Sequence, residues 1–300
     1  MTWLAEPSVA IVLTGVMVGM SAALLGSFLV LRGNSMLADA ISHSILFGIA
    51  LTWLLSGQTS GPLQIAGAAL SGVFAVYLIE LLTRTQRLRD DAAIGLVFPA
   101  LFSIGVVLIN VYARDVHLDE HTVLLGEIGF VWLDTLAVAG IEVPRATLTM
   151  AVMLVIDALF VVAFFKLLKL ATFDRDLASA LGLAPGFILY AHLTLLSGTA
   201  VAAFDAVGVV LFITFVVVPP AAAFLLTRAL VPMILLAMFM AALSAPVGYA
   251  LAILWDVSIS GMMALVNGFF LLIAYLLRWW RGVRAGRAEA LVQPPPSSSA

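Results

Sequence analysis

Apolar residues in this chain come in long unbroken runs, not in the one-on, one-off alternation of membrane β-strands, and each run is near the ~20 residues that carry a helix across a bilayer. The first run covers residues 9–31 and stops at Arg32. The second, 36–56, is closed by the turn Gly57-Gln58-Thr59-Ser60-Gly61-Pro62, and the third, 63–82, runs into a charged loop from Arg84 to Asp91. A fourth, 92–112, is followed by a polar stretch, and a fifth covers 147–168 and ends in Lys166 and Lys169. Residues 186–226 are long enough for two spans, divided near Phe204-Asp205-Ala206, and 230–252 and 259–277 supply the last two. Between the fourth and fifth, Leu124–Leu133 is apolar, but Glu127, Asp134 and Glu142 interrupt the wider segment; 123–144 is therefore expected to form a short interfacial or partly inserted helix. The pattern predicts an all-α polytopic membrane protein of nine transmembrane helices, with eight or ten compatible with the soft edges of hydropathy. The membrane domain is 1–278, and 279–300, basic and then Pro/Ser-rich from Pro294, is expected to be a disordered tail.

Composition agrees with this class. Of 300 residues, 63% are hydrophobic and 10% charged, where soluble domains carry about 25% charged. The net charge of −3 says little by itself, because placement matters more than sum. Nine spans with the N-terminus outside and the C-terminus cytoplasmic put twelve of the fourteen Lys and Arg residues inside, leaving only Arg114 and Arg145 outside. There is no cysteine, so there is no disulfide framework and no thiolate for Cu(I). The first residues lack the basic n-region of a cleavable signal peptide, so 9–31 is kept as a span.

Chemistry concentrates in the second run. Asp39 and His43, at i and i+4, share a helical face one turn apart inside an apolar segment. Ionisable side chains at membrane depth face a bundle interior or an aqueous path and mark function. A carboxylate with an imidazole suits Mn²⁺, Zn²⁺ or Fe²⁺. The competing reading is that Asp39 favours the positive end of a helix beginning near Asn34, with His43 a neutral packed residue.

Between the fifth and sixth spans, 172–184 reads as a short amphipathic helix. Thr172 or Asp174 can cap it and Gly182 can end it; Phe173, Leu177 and Leu181 lie on one face, with Ala178 and Ala180 small enough for close approach. Such a helix can dock on a soluble partner or serve as a plain connector. No Gly-x-x-x-x-Gly-Lys-Ser/Thr occurs, so any ATP that drives the protein is bound by another chain, and no hydrolase motif such as His-Glu-x-x-His or Gly-x-Ser-x-Gly is present.

Five segments in order give a resemblance: Leu37-Ala-Asp39-Ala-Ile-Ser-His43-Ser, Asp91-Ala-Ala-Ile-Gly95, His117-Leu-Asp-Glu-His-Thr-Val-Leu-Leu-Gly126, Thr172-Phe-Asp with Ala180-Leu-Gly-Leu183, and Ala206-Val-Gly208 followed by Val217-Val-Pro-Pro-Ala-Ala. Together they resemble the membrane permease subunits of ABC importers for manganese, zinc and iron, over Leu31 to about Leu277. The resemblance implies a transport subunit without enzymatic activity of its own, in a prokaryotic cytoplasmic (inner) membrane. It implies a second permease, identical or different, two cytoplasmic ATPase subunits that hold the ATP, and an extracytoplasmic metal-binding protein. No nucleic acid and no permanently bound cofactor are implied; the metal is cargo. Asp39 and His43 map to the family's metal ligands in the translocation path, and Phe173, Asp174, Leu177, Ala180, Leu181 and Gly182 to the helix that contacts the ATPase. Two copies across a two-fold axis would supply four ligands and two negative charges to a dication. The tandem Pro219-Pro220 departs from the family's usual single proline.

His117, Asp119, Glu120 and His121 could accept metal from the binding protein, or form an ordinary solvated acidic loop. His192 reads as a hydrogen-bonded core histidine, and Asp157 as a carboxylate near the path or its gate. The rival function is a stand-alone ion-coupled secondary metal transporter, which calls for inverted repeats that the two halves do not display. An intramembrane metalloenzyme would need a third ligand and a base, and the other histidines lie in distant segments.

Overall fold

A computed structural model describes residues 6–57, 62–112, 127–138 and 141–292, with side-chain surroundings as far as Arg281. The expected helices are there: α1 Pro7–Leu31, α2 Met36–Ser56, α3 Pro62–Thr83, α4 Asp90–Tyr112, α5 Arg145–Ala163, α6 Phe165–Phe173, α7 Arg175–Ala180, α8 Pro185–Leu226, α9 Leu230–Trp255 and α10 Ile259–Val292. Eight of these are long and apolar enough to cross a membrane, among the described residues.

The 42-residue α8 crosses twice. Straight, it would measure ~63 Å, twice the hydrocarbon thickness. Gly208 interrupts it with φ 75° and ψ 168°, a conformation that only glycine adopts without cost. The arms on either side fold back against one another's level on α1. The His192 ring N–H donates to the Leu25 carbonyl at 3.1 Å, while the Val216 backbone lies against Gly26. Residues 192 and 216 would be ~36 Å apart along a straight helix, yet they meet adjacent residues of α1. The far ends agree, since Leu31, Phe173, Phe224 and Arg278 border one cavity and so lie at one face of the bundle. With its two arms counted, nine helical segments cross among the described residues, in the expected order. The reversal sits at Gly208, just beyond the expected division at 204–206.

α1 is the hub. A stripe of small residues, Gly15, Gly19, Ala22 and Gly26, lets α8 and α9 approach closely; a Cβ added at Gly19 would stand 3.2 Å from the Ala241 carbonyl oxygen of α9. α1 also packs against α5, and α10 closes on α8 and α9. The other unit is α2 sandwiched between α3 and α4, joined to the hub chiefly through α8. Outward-facing side chains such as Leu70, Leu159, Phe239 and Leu254 are apolar and exposed, as lipid-facing positions must be.

Four expectations need correcting. The described part of 123–144 is a 3₁₀ turn, Ile128–Phe130, followed by a hairpin of β1 Thr135–Val138 and β2 Ile141–Pro144, paired antiparallel with Leu136 opposite Val143. The β-branched Thr135, Val138, Ile141 and Val143 favour pleated backbone over a helix. The fifth span stops at Ala163, and Phe165–Phe173 forms a separate helix whose Leu168 and Ala171 are buried. Lys166 and Lys169 are drawn to the surface, which fits a helix leaving the bilayer. The helix expected over 172–184 contracts to Arg175–Ala180, with Thr172 and Phe173 belonging to α6. Lastly, α10 runs unbroken to Val292: the Arg, Ala, Glu and Leu residues of 281–292 favour helix and outweigh Gly282 and Gly286, and the first proline comes at Pro294; the expected tail from 279 is helical for its first part.

Candidate metal centre

α2 holds its polar pair by being fixed on every other side. A Cβ on Gly48 would stand 2.5 Å from the Gly67 carbonyl oxygen, and one on Gly105 would stand 2.9 Å from the Phe47 nitrogen, so α3 and α4 both approach α2 at backbone contact. Ser71 of α3 donates to the Ser44 carbonyl at 2.9 Å, and Gln64 donates to the Ile49 carbonyl at 3.1 Å. Ser42 and Ser44 turn their hydroxyls back onto the Ala38 and Ala40 carbonyls, so neither offers a free polar group to the helix surface. Between Met36 and Ala50 the positions that keep exposure form a single stripe, Met36, Asp39, His43 and Phe47, which runs on into the exposed Leu51, Leu54 and Leu55 at the helix end.

On this stripe Asp39 Oδ1 and His43 Nε2 stand 3.4 Å apart, each side chain about a third exposed (34% and 32%). Asp39 lies in the first turn of α2, and His43 ~10 Å along from the helix start. Both therefore lie in the half of α2 nearer Arg32. Two aromatic rings of α4 hold the imidazole: Phe98 stacks on it at 5.5 Å between centroids, and Phe102 meets it edge-on at 5.8 Å. This leaves Nε2 aimed at Asp39.

The separation suits one ion held by both atoms. With bonds near 2.1 Å, a tetrahedral ion sets neighbouring ligands ~3.4 Å apart, and an octahedral one sets them about 3 Å apart. Neither side chain has to move far. Among the described residues no group of three or more His, Cys, Asp or Glu side chains converges, so a single chain offers two donors and leaves the remaining positions to water or to another subunit.

The other sequence candidates separate from this pair. His117, Asp119, Glu120 and His121 lie outside the described residues. His192 is buried, bonded to Leu25 and edge-on to Phe28 at 5.8 Å, a core histidine. Asp157 is fully buried at the junction of three helices, accepting hydrogen bonds from Ser21 of α1 and from Thr199 of α8, the latter at 3.1 Å. Glu80 pairs with Arg84 at 2.8 Å and accepts from Tyr190.

Of the helix expected to meet a partner, Asp174 caps α7 by accepting from the Leu177 amide at 2.8 Å. Gly182, at φ 73°, ends it: the Gly182 amide donates to Ser179 and the Leu183 amide to Ala178, the paired bonds of a glycine-terminated helix. Ala178 is buried beneath, while Phe173, Leu177 and Leu181 are exposed together with Ala180. Arg175 stands near Arg32 and Glu80; burial, and then Arg175, hold the Arg32 guanidinium below its ordinary pKa, with Glu80 partly offsetting them. Charge thus links α7 to the ends of α1 and α3.

Sequence reasoning did not find Phe98 and Phe102. Their i, i+4 spacing was visible, but nothing local said that this face of α4 meets α2.

A bundle with nine helical crossings among the described residues and a carboxylate–imidazole pair on an uncovered stripe fits a polytopic membrane transport subunit. The chain belongs to the ABC 3 transport family, which it matches over residues 8–278. It is 44% identical over 282 residues to the manganese transport system membrane protein MntD of Bacillus subtilis (strain 168), covering 94% of this chain and 95% of that one. It is 43% identical over 273 residues to the zinc transport system membrane protein TroD of Treponema pallidum (strain Nichols), covering 91% and 74%. Among solved structures it is similar to PsaBC from Streptococcus pneumoniae in complex with Fab, with TM-score 0.72, 28% identity and coverage of 88% and 89%.

Proposed function

We propose that this chain is the membrane-spanning subunit of an ATP-driven importer for a divalent transition metal, and that Asp39 and His43 bind the metal in transit. The observation that carries this is the Asp39 Oδ1–His43 Nε2 pair, 3.4 Å apart on the one uncovered stripe of α2. Relatives named for manganese and zinc transport support the substrate class, and Mn²⁺, Zn²⁺ and Fe²⁺ all accept mixed carboxylate and imidazole ligands.

The stripe is the face on which a second permease, identical or related, pairs with this one. Across a two-fold axis the same patch meets itself, so two Asp39 and two His43 surround the passage. Their two carboxylates offset the charge of a dication, which in a low-dielectric passage could not be left unpaired. Phe98 and Phe102 keep each imidazole from swinging away, which pre-sets the site for the ion.

Two ATPase subunits bind ATP and dock on α7 through Phe173, Leu177 and Leu181, with Asp174 and Gly182 fixing the ends of the helix and Ala180 leaving room for contact. This sets the face bearing Leu31, α7 and Arg278 in the cytoplasm of a prokaryotic cell and the membrane domain in its cytoplasmic membrane. An extracytoplasmic binding protein delivers metal to the opposite face, where His117, Asp119, Glu120 and His121 act as acceptors. Uptake by proteoliposomes holding the assembled complex tests the reading. Accumulation of ⁵⁴Mn or ⁶⁵Zn that requires ATP, and that persists when proton and sodium gradients are collapsed, is expected. Gradient-driven uptake without ATP would support the secondary transporter instead.

A further inference from the structure

A cavity of about 610 Å³ opens at the same face of the bundle as α7, between the ends of α1 and α6, residues 278–281 of α10 and the turn joining α8 to α9. Its walls are of two kinds. Leu31, Phe224 and Met233 make an apolar side, while Arg228, Arg278 and Arg281 bring three guanidinium groups to its rim. None of the three makes an ion pair with a described carboxylate. Asp174, which follows the lining residue Phe173, is engaged in capping α7.

A second source of positive potential points the same way. Ala229 and Leu230, which also line the cavity, are the N-cap and first residue of the 26-residue α9. Alanine has no side-chain oxygen to accept from the first-turn amides and Pro232 has no amide hydrogen, so the Leu230 and Val231 amides and the positive end of the helix dipole are left for an outside anion. Depth is marked by Trp279 and Trp280, both exposed, which lie between Arg278 and Arg281. Adjacent exposed tryptophans at the end of a span belong at the headgroup level of a bilayer.

We propose that this cavity binds one anionic phospholipid from the leaflet on the basic face. Its phosphate sits among Arg228, Arg278, Arg281 and the α9 amides, and an acyl chain lies along Leu31, Phe224 and Met233. Basic recesses between transmembrane helices at this depth hold acidic headgroups, and arginine matches phosphate oxygens with paired donors. The bound lipid lies between residues 278–281 of α10 and Phe173 of α6, next to the helix proposed to meet the ATPase, so it fills the space between the permease body and its docking surface.

The full-length chain, purified in detergent and stripped of lipid, is incubated with phosphatidylglycerol or phosphatidylcholine, washed, and assayed for retained lipid by native mass spectrometry. The wild-type chain should retain phosphatidylglycerol several-fold over phosphatidylcholine. The Arg278→Gln/Arg281→Gln variant should lose most of that preference, the Arg278→Lys/Arg281→Lys variant should keep most of it, and Arg89→Gln in the α3–α4 loop, outside the cavity lining, should leave it unchanged. Elution profile and melting temperature establish that each variant is folded. Equal retention of the two lipids by the wild type, or undiminished phosphatidylglycerol on the glutamine variant, overturns the proposal. So does loss from the lysine variant, because charge would then not be what holds the lipid. Displacement by millimolar inorganic phosphate would give the site to a free anion. Weakened ATPase association in the glutamine variant with lipid retention intact would give it to a protein partner.

Discussion

Gly26 is where α1 and the second arm of α8 touch backbone to backbone. A Cβ added there would stand 2.7 Å from the Val216 carbonyl carbon and 2.9 Å from its Cα, with the carbonyl oxygen nearer still. Carbon atoms settle at about 3.5–4.0 Å, so Gly26→Ala forces the two helices ~1 Å apart at this level. The obstacle is main chain, so no rotamer change relieves it. Overpacking of this kind costs about 1–3 kcal/mol, toward the upper end where neither side can yield. The matched control is Gly95→Ala on α4, where nothing lies within 4 Å. There the gain in helix propensity, about 0.5–1 kcal/mol, should leave stability unchanged or slightly raised. Thermal unfolding of both variants in the same detergent compares them directly. Gly26→Ala should melt several degrees below the wild type and Gly95→Ala at or above it. Indistinguishable melting temperatures would mean that α8 does not fold back against α1 as described, and the nine-pass topology would lose its main support.

Three further outcomes follow from particular contacts. Ser179, exposed on α7, should resist an impermeant thiol reagent in intact cells when changed to cysteine in this cysteine-free chain, and react once the membrane is opened; ready labelling from outside would invert the orientation. Gly182→Val has free space around it but a backbone at φ 73°, so it should cost ~1–2 kcal/mol locally by strain alone and uncouple ATP hydrolysis from uptake; normal coupling would make α7 a connector only. Asp157→Asn keeps an acceptor for Ser21 and Thr199, whereas Asp157→Leu strands both hydroxyls in the core, at about 1–3 kcal/mol; the leucine variant should melt lower than the asparagine one, and equal melting would show that the junction of α1, α5 and α8 does not depend on this carboxyl.

Spans were legible because lipid imposes one rule on every residue of a run, and Pro7–Leu31, Met36–Ser56 and Asp90–Tyr112 fall within two residues of their hydropathic limits. The reversal inside α8 was legible in kind but not in place. Asp205 drew the division toward itself by polarity, whereas the break belongs to Gly208, the residue able to adopt the required angles. The hairpin at 135–144 was missed because acidic residues were read as interruptions of a helix, although the β-branched residues between them favoured strand. At the metal centre, the spacing of Asp39 and His43 gave their shared face directly, since both lie on one helix. Phe98 and Phe102 come from another, and Ser21 and Thr199 reach Asp157 from helices 136 and 42 residues away in sequence. Contacts of that kind depend on which helix faces meet, and no local pattern records it.

The central claim is that Asp39 and His43 carry the metal. Radiometal uptake by Asp39→Ala and His43→Ala, each assembled with its partners and matched for expression, tests it most directly. Losing Asp39 removes one negative charge per permease from a passage that must hold a dication, and losing His43 removes the nitrogen donor 3.4 Å away. Both variants should assemble and yet fail to accumulate metal, with His43→Ala hurting Zn²⁺ more than Mn²⁺, the ion more tolerant of oxygen ligands. Wild-type uptake by both variants would contradict the claim and leave the pair a structural feature of α2.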